Sequence, residues 1–282
     1  MIPAAMAQLP SFAVDDAAPG HGRVAVARVE DQAAIISCAA TSPLKLICQR
    51  RGAAAWIYAA SFGGGLMPGD DLALTIDVGP HARAFVTSQS ATKVFRSDDG
   101  GEARSRIDAR VGAAGLLALW PDPVACFADA RFANRVRVDL AAHASALVVD
   151  AVTGGRLARG ERWSFARYAA RIELRRDGAP LAIEALTLDR ADGDIGARLP
   201  GCGAYASALL VGPLLRDLAG EVLALVGARD PAERPYVSAS PLADGCALRV
   251  AAESAEAVHA ALRRHLAALA PLIGGDPWSH RH

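Results

Sequence analysis

The apolar residues between Arg23 and Asp189 follow a short-range pattern. Runs of alternating or continuous apolar residues are separated by Gly, Pro, Asp or Asn. Such runs between turn-forming residues are typical of β-strands. The pattern therefore predicts a long all-β region, with strands at residues 24–29, 34–38, 44–48, 55–60, 72–78, 84–88, 103–111, 116–119, 132–140, 146–152, 163–175 and 181–188.

Towards the C-terminus the spacing becomes helical. Pro213 suits a first helical position, and it is followed by a stripe of apolar residues at Leu214, Leu218, Val222 and Leu225. A second helix is expected from an N-cap at Ser254 to Gly274 and Gly275, with Val258, Leu262, Leu266 and Leu269 on one face. The fold class predicted is thus β-dominated with two α-helices in the C-terminal part; sandwich, barrel and irregular solenoid stay open.

The chain has one expected domain. Residues 1–22 are predicted to be a loose extension, residues 23–273 the domain and residues 274–282 a flexible tail. Thirty Lys and Arg balance thirty Asp and Glu, which argues against a nucleic-acid partner. A chain with no net charge and 52% hydrophobic residues tends to self-associate unless a partner protein covers it. An obligate protein complex is therefore expected.

The sequence shows no recognisable targeting signal, so a cytoplasmic protein is expected. The first twenty residues lack a basic region before an apolar one, so no secretory signal is expected. The apolar stretch 205–226 is interrupted by charges at Arg216, Asp217 and Glu221, which argues against a membrane span. Five scattered cysteines without a Cys-x-x-Cys pair are expected to be reduced thiols.

Three carboxylates carry the candidate chemistry. Strand alternation would place Asp70, Asp150 and Glu184 on apolar faces. A buried carboxylate is costly, so each needs an Arg partner, several N–H donors, a raised pKa or a bound cation. Ion pairs with arginines such as Arg96 or Arg156 are the simplest solution, and a metal path is the alternative.

Two other features have weaker chemical meaning. Four glycines, Gly63, Gly64, Gly65 and Gly69, predict a tight turn with positive φ or close backbone approach. His280 and His282 could hold a transition metal weakly, but an incidental tail is the favoured interpretation. Paired carboxylates on a strand face would also suit a β-solenoid hydrolase or lyase, a second hypothesis from a different class.

Three segments, taken in order, carry a family resemblance. They are residues 42–46 (SPLKL) followed by the turn 63–70 (GGGLMPGD), residues 87–97 (TSQSATKVFRS, with Lys93), and residues 120–127 (WPDPVACF) followed by 153–156 (TGGR, with Arg156) and 160–163 (GERW). In order and spacing they resemble the urease accessory proteins of the UreD/UreH family. The Pro121–Val124 tetrapeptide is similar to the plant form of that family, and Phe95, Ser88 and Met67-Pro68 depart from its usual pattern.

The resemblance implies a right-handed β-helical body with two helices and no catalysis of its own. Family members bind apo-urease and a helical UreF-type partner, which in turn recruits a UreG-type GTPase and nickel. The family's proposed interior nickel path matches Asp70, Thr92, Asp150 and Glu184 here. The function expected is therefore urease maturation, as a scaffold and metallochaperone with nickel in transit and no tightly bound cofactor.

Overall fold

The computed structural model describes residues 18–278, and strands dominate it. The strands are β1 His21–Val29, β2 Gln32–Ala40, β3 Leu44–Arg51, β4 Ala54–Ser61, β5 Asp71–Val78, β6 Arg83–Ser88, β7 Thr92–Val94, β8 Ala103–Val111, β9 Leu116–Leu119, β10 Val124–Cys126, β11 Arg131–Leu140, β12 Ser145–Thr153, β13 Arg167–Arg176, β14 Ala179–Asp189, β15 Ala204–Val211, β16 Tyr236–Leu242 and β17 Gly245–Ala252. The helices are α1 Ile195–Arg198, α2 Arg216–Gly227, α3 Ala255–His265 and α4 Ala270–Ile273.

The strands form a β-solenoid of about four turns. From β4 to β13 the chain alternates between two sheets, and successive strands within each sheet pair in parallel. The first sheet has the order β14-β13-β11-β8-β5-β1-β2, and the second has the order β16-β17-β15-β12-β9-β6-β4-β3. The predicted β-helical body is confirmed.

One corner of the solenoid is the same tight turn in three successive coils. Backbone N–H groups of Ala82, Gly115 and Ala144 each donate to the carbonyl three residues earlier. The third residue of each turn has positive φ, and these residues are His81, Ala114 and His143. His81 and His143 are thus turn residues.

Antiparallel strands close both ends of the solenoid. β2 and β3 are the edge strands at the N-terminal end, and β14 closes the first sheet at the other end. In the second sheet the antiparallel strands β15, β17 and β16 continue beyond β12. The hairpin β16–β17 and the short strands β7 and β10 are absent from the sequence prediction.

Helices α2 and α3 cover the outer face of the second sheet. Leu218 and Val222 of α2, with Val258 and Leu262 of α3, belong to a core cluster that includes Phe85, Leu147 and Leu248 of the sheet. The N-cap at Ser254 is as predicted, since its hydroxyl accepts the N–H of Ala257 at 3.2 Å. The two predicted helices are confirmed, although a 3₁₀ turn separates α3 from α4.

Packing extends past the predicted domain limits. β1 begins at His21, within the segment expected to be a loose extension. Trp278 is buried and its ring lies 5.2 Å from that of Trp120, so residues 274–278 are packed rather than part of a flexible tail. The His280 and His282 pair lies outside the described residues.

Candidate metal path

A cavity of about 250 Å³ lies between the two sheets. Its lining combines apolar side chains, among them Leu66, Leu119 and Phe132, with polar ones. The polar groups include the side chains of Thr87, Ser88, Thr92, Asp122, Asn134 and Asp150. All six carry oxygen atoms, which are the ligands that hard divalent cations accept.

Asp150 is the most buried acid of this cavity, with 4% of its surface exposed. Its two carboxylate oxygens accept hydrogen bonds from Asn134 Nδ2 at 2.9 Å and from the Tyr168 hydroxyl at 2.7 Å. Burial raises the pKa of Asp150, the two hydrogen bonds oppose that rise, and the nearby charge of Glu184 adds to it. No Arg or Lys pairs with Asp150 within residues 18–278.

Hydroxyl groups line the same cavity from other strands of the sheet that carries Asp150. The segment from β6 to β7 contributes Thr87, Ser88 and Thr92, because it runs along the cavity wall between the two strands. Ser88 Oγ donates to Asp122 at 2.9 Å and accepts the Asp122 backbone N–H at 2.8 Å. Thr92 and Asp150 therefore line the same cavity.

Glu184 forms an ion pair with an arginine, which is the simpler of the two arrangements predicted for it. Its carboxylate accepts a two-point hydrogen bond from Arg249, with Nε at 2.8 Å and Nη2 at 2.5 Å. Arg96 and Arg156 are not its partners, since they pair with Asp98 and Glu161 respectively. Glu184 does not line the cavity, but its charge reaches Asp150 and contributes to the raised pKa there.

Asp70 lies in a surface turn and not on a buried strand face. Strand β5 begins one residue later, and Asp70 Oδ2 accepts the backbone N–H of Met67 at 2.7 Å. The residue is partly exposed and does not line the cavity, because its side chain folds back onto the glycine-rich turn. The position on the apolar face of a strand that was expected for Asp70 is therefore wrong, because Asp70 precedes β5 and is only partly buried.

The glycine-rich turn has the backbone geometry that its glycines favour. Gly63, Gly64 and Gly69 have positive φ. At Gly65 an added Cβ would lie 2.8 Å from the carbonyl oxygen of Lys93, because the turn packs directly against β7. Lys93 is exposed at the cavity edge, and its backbone carbonyl accepts the N–H of Leu66 at 2.8 Å.

The side chain of Arg156 joins two loops. Its guanidinium lies 4.3 Å from the centroid of the Phe127 ring and hydrogen-bonds to the carboxylate of Glu161. Glu161 also accepts the backbone N–H of Ala128 at 3.3 Å. These contacts give Arg156 a structural role, because they hold the residue 127 loop against the residue 156–161 loop.

The carboxylates proposed for the path are spread through the fold. Residues 18–278 contain no cluster of three or more His, Cys, Asp or Glu side chains that could hold a metal. Asp150 and Thr92 share the cavity, Glu184 lies beyond Asp150, and Asp70 lies at the surface.

Several residues of the site were not predicted from the sequence. The carboxylate of Asp150 accepts hydrogen bonds from Asn134 of β11 and Tyr168 of β13, and that of Glu184 accepts them from Arg249 of β17. These partners are distant in sequence from the acids that they contact. A signal existed for Arg249, which interrupts the apolar run of β17 on an inward-facing position. Register places Asp150, Ser207 and Arg249 side by side across the second sheet.

Comparison of the sequence with known proteins assigns the chain to a family. The sequence matches the family described as UreD urease accessory protein over residues 18–281. The chain belongs to the UreD family. A urease accessory protein UreD from Anaeromyxobacter sp. (strain Fw109-5) is 46% identical over 265 residues, covering 92% of this chain and 89% of that protein.

Plant proteins are among the UreD relatives. The urease accessory protein D of Oryza sativa subsp. indica is 32% identical over 294 residues, covering 93% of this chain and 96% of that protein. The protein of the same name from Arabidopsis thaliana is 30% identical over 292 residues, covering 92% and 99% respectively. The predicted family is confirmed, and membership in an accessory family points to a non-catalytic role. In the part of the chain that the structure describes, no helix is both long and apolar enough to span a membrane.

Proposed function

We propose that this chain is a cytoplasmic urease maturation factor that passes nickel through its interior. In this proposal it binds apo-urease and a UreF-type partner, and a UreG-type GTPase joins through that partner. Family membership supports the accessory role. The observation that carries the nickel path is the buried Asp150, which lines a cavity of oxygen ligands without a basic partner within residues 18–278.

The environment of Asp150 suits a cation in transit. Tyr168 and Asn134 each occupy one lone pair of the carboxylate, which leaves further lone pairs for a metal. Thr87, Ser88, Thr92 and Asp122 add weak oxygen ligands along the same cavity. Sparse oxygen ligands bind a divalent ion loosely, whereas a cluster of imidazoles or thiolates would trap it.

A raised pKa couples metal passage to a proton. Without a cation, burial favours the neutral form of Asp150, and a divalent ion next to it favours the carboxylate. The raised pKa makes protons stronger competitors for the oxygen atoms of Asp150 than they are at an ordinary carboxylate. We expect urease activation through this chain to slow as the pH falls, because protons compete for the same oxygen atoms.

Glu184 provides the next acid beyond Asp150, and Arg249 holds it. The guanidinium neutralises Glu184 when no metal is present, because both oxygens accept its N–H groups. A dication that reaches Glu184 has to replace Arg249 as the counter-ion. The positive charge of Arg249 thus opposes the binding of nickel at Glu184. Nickel reaches Glu184 only while further ions arrive at Asp150.

The first experiment tests the accessory role. This chain is co-expressed with the UreF-type and UreG-type proteins and apo-urease of its own source, and the complex is purified through a tag on the chain. We expect a stable complex and nickel-dependent urease activity that requires the chain. Normal activation in its absence would contradict the maturation role.

The second experiment tests the path by separating stability from transport. In the Asp150→Asn variant the metal ligand is weakened while the side chain keeps its shape. We expect partner binding to persist and nickel-dependent activation to fall at least about tenfold, in line with the loss of a charged ligand. The matched control is Asp77→Asn, because Asp77 is a buried acid that does not line the cavity. Normal activation by the folded Asp150→Asn variant would show that the path is wrong.

A further inference from the structure

Two cysteines that are ten positions apart in sequence meet at the end of the solenoid. Cys38 lies in β2 and Cys48 lies in β3, and their sulfur atoms are 3.2 Å apart. The thiol of Cys48 donates to the sulfur of Cys38. Both are free thiols, and their ten-residue separation in sequence gives no sign that they meet.

The two strands belong to different sheets. β2 is the edge strand of the first sheet, and β3 is the edge strand of the second sheet. Cys38 pairs in register with the buried Val24, and Cys48 pairs with the buried Ile57. A bond between the sulfurs would therefore join the open edges of the two sheets at the N-terminal end of the solenoid.

The two thiols differ in access to solvent. Cys38 is exposed, while Cys48 is half-buried and packs against the apolar core between the sheets. Burial, with the neighbouring Cys38 as a second cause, raises the pKa of Cys48 to about 12. A dissolved oxidant can therefore reach Cys38 first, and Cys48 is placed to react second.

The other cysteines lack this arrangement. Cys126, Cys202 and Cys246 are buried, and burial raises the pKa of each. Buried protonated thiols of this kind react slowly with dissolved oxidants. They are therefore internal controls for the reactivity of the pair.

We propose that Cys38 and Cys48 form a redox-active dithiol that a disulfide oxidant, such as oxidised glutathione, converts into an intramolecular disulfide. The thiolate of Cys38 attacks one sulfur of oxidised glutathione, the glutathione S–S bond breaks, and one glutathione leaves and takes up a proton. The sulfur of Cys48 then loses its proton and attacks the Cys38 sulfur of the mixed disulfide, which releases the second glutathione. Two electrons pass from the cysteines to glutathione, and two thiol protons end on the two reduced glutathione molecules.

The disulfide has a physical consequence for the fold. Edge strands of a sheet open more easily than central strands, because only one of their sides is hydrogen-bonded. A bond from β2 to β3 fixes both edges at once. The oxidised chain should therefore exchange the amide hydrogens of residues 32–51 more slowly than the reduced chain.

The test treats the full-length folded chain with oxidised glutathione and measures intact mass and tryptic peptides. We expect a mass lower by two hydrogen atoms and one cross-linked peptide pair containing residues 38 and 48. Cys48→Ser should retain glutathione on Cys38, because the second step is removed, and Cys38→Ser should stay unmodified. Amide exchange at residues 32–51 should slow in the oxidised wild type and stay unchanged in both variants after the same treatment.

Several results would overturn the proposal. They are an unmodified wild type, a glutathione adduct on Cys38 that persists in the wild type, and a disulfide between two chains. A 38–48 disulfide without any change in amide exchange would refute the claim that it clamps the sheet edges. This inference does not rest on the nickel path, because neither cysteine lines the cavity.

Discussion

Tyr168 of β13 donates its hydroxyl to Asp150 of β12 at 2.7 Å, across the space between the two sheets. Both residues are buried, and burial together with the neighbouring Asp150 raises the pKa of Tyr168 well above its usual value. The raised pKa favours the protonated phenol, which donates the hydrogen bond to Asp150. Its ring fixes the Asp150 carboxyl at one place in the cavity wall.

The first prediction concerns the stability of Asp150→Asn. The folded chain raises the pKa of Asp150, so in the pH range between the unfolded and folded values the folded chain binds more protons than the unfolded chain. Stability from this group is complete below the unfolded value and is lost as the pH rises through the folded value. The amide introduced by the substitution cannot titrate, so we expect the variant to lose this slope and to unfold at higher urea concentration at pH 7.

Urea unfolding between pH 4 and pH 8 checks this expectation. Asn134 can rotate its amide to offer an oxygen to the new amide, so the variant keeps its hydrogen bonds. A variant that is less stable than the wild type at pH 7 would mean that Asp150 is charged and favourable in the fold. A more stable variant that fails to activate urease would separate the metal role from the structural one.

The second prediction has the opposite sign and concerns Glu184→Gln. Arg249 loses a charged two-point partner and keeps only part of its hydrogen bonding. Because Arg249 is about one third exposed, water compensates some of the loss, and we expect a decrease of about 1–2 kcal/mol in the free energy of unfolding. Chemical denaturation measures it, with the exposed pair Arg106 and Asp71 providing a control in Asp71→Asn, for which little change is expected. Equal losses in the two variants would contradict a special role for the Arg249 pair.

Much of the fold is predictable because its strands are local patterns. Strand β9 is predicted at residues 116–119, and the structure has a strand with the same bounds. A short apolar run between turn-forming residues indicates a buried strand. The hairpin β16–β17 is missed, since β16 is an edge strand that contains a proline and has no buried residue. The solenoid repeat is also missed, because its recurring feature is a turn geometry at His81, Ala114 and His143 and not a repeated residue.

The candidate site is predictable only in part. The family resemblance supplies Thr92 and Asp150, and the structure places both at one cavity. Strand alternation fails at Asp70, because its strand begins one residue later and a turn captures the carboxylate. Partners such as Tyr168 and Arg249 depend on how two sheets face each other, and no local pattern contains that information.

The third prediction concerns the attachment of the C-terminal segment to the solenoid. Trp56 of β4 is buried and donates its indole N–H to the carbonyl of Ile273 at 2.8 Å. Trp56→Phe leaves that carbonyl without the donor and leaves space in the core, so we expect a loss of about 1–3 kcal/mol in the free energy of unfolding. Amide exchange in residues 270–278 should quicken as well. The control is Tyr58→Phe, a ring 6.4 Å from Trp56 that keeps its packing, and a similar loss there would contradict the hydrogen-bond argument.

The last prediction concerns charges on the outer face of the first sheet. Arg135 of β11 lies in register between Arg106 of β8 and Arg171 of β13, so three like charges stand side by side. Like charges directly opposite one another destabilise a sheet, and Thr is a good strand residue.

We therefore expect Arg135→Thr to raise the free energy of unfolding by roughly 0.2–1 kcal/mol at low salt, and the gain to shrink in high salt as the charges are screened. The matched control is Arg137→Thr, two residues along the same strand, because Arg137 lies in register between Asp108 and Glu173. This variant should lose stability under the same conditions. Thermal unfolding at two salt concentrations distinguishes the two effects, and a change of the same sign in both variants would show that strand propensity, not charge register, decides the stability of this face.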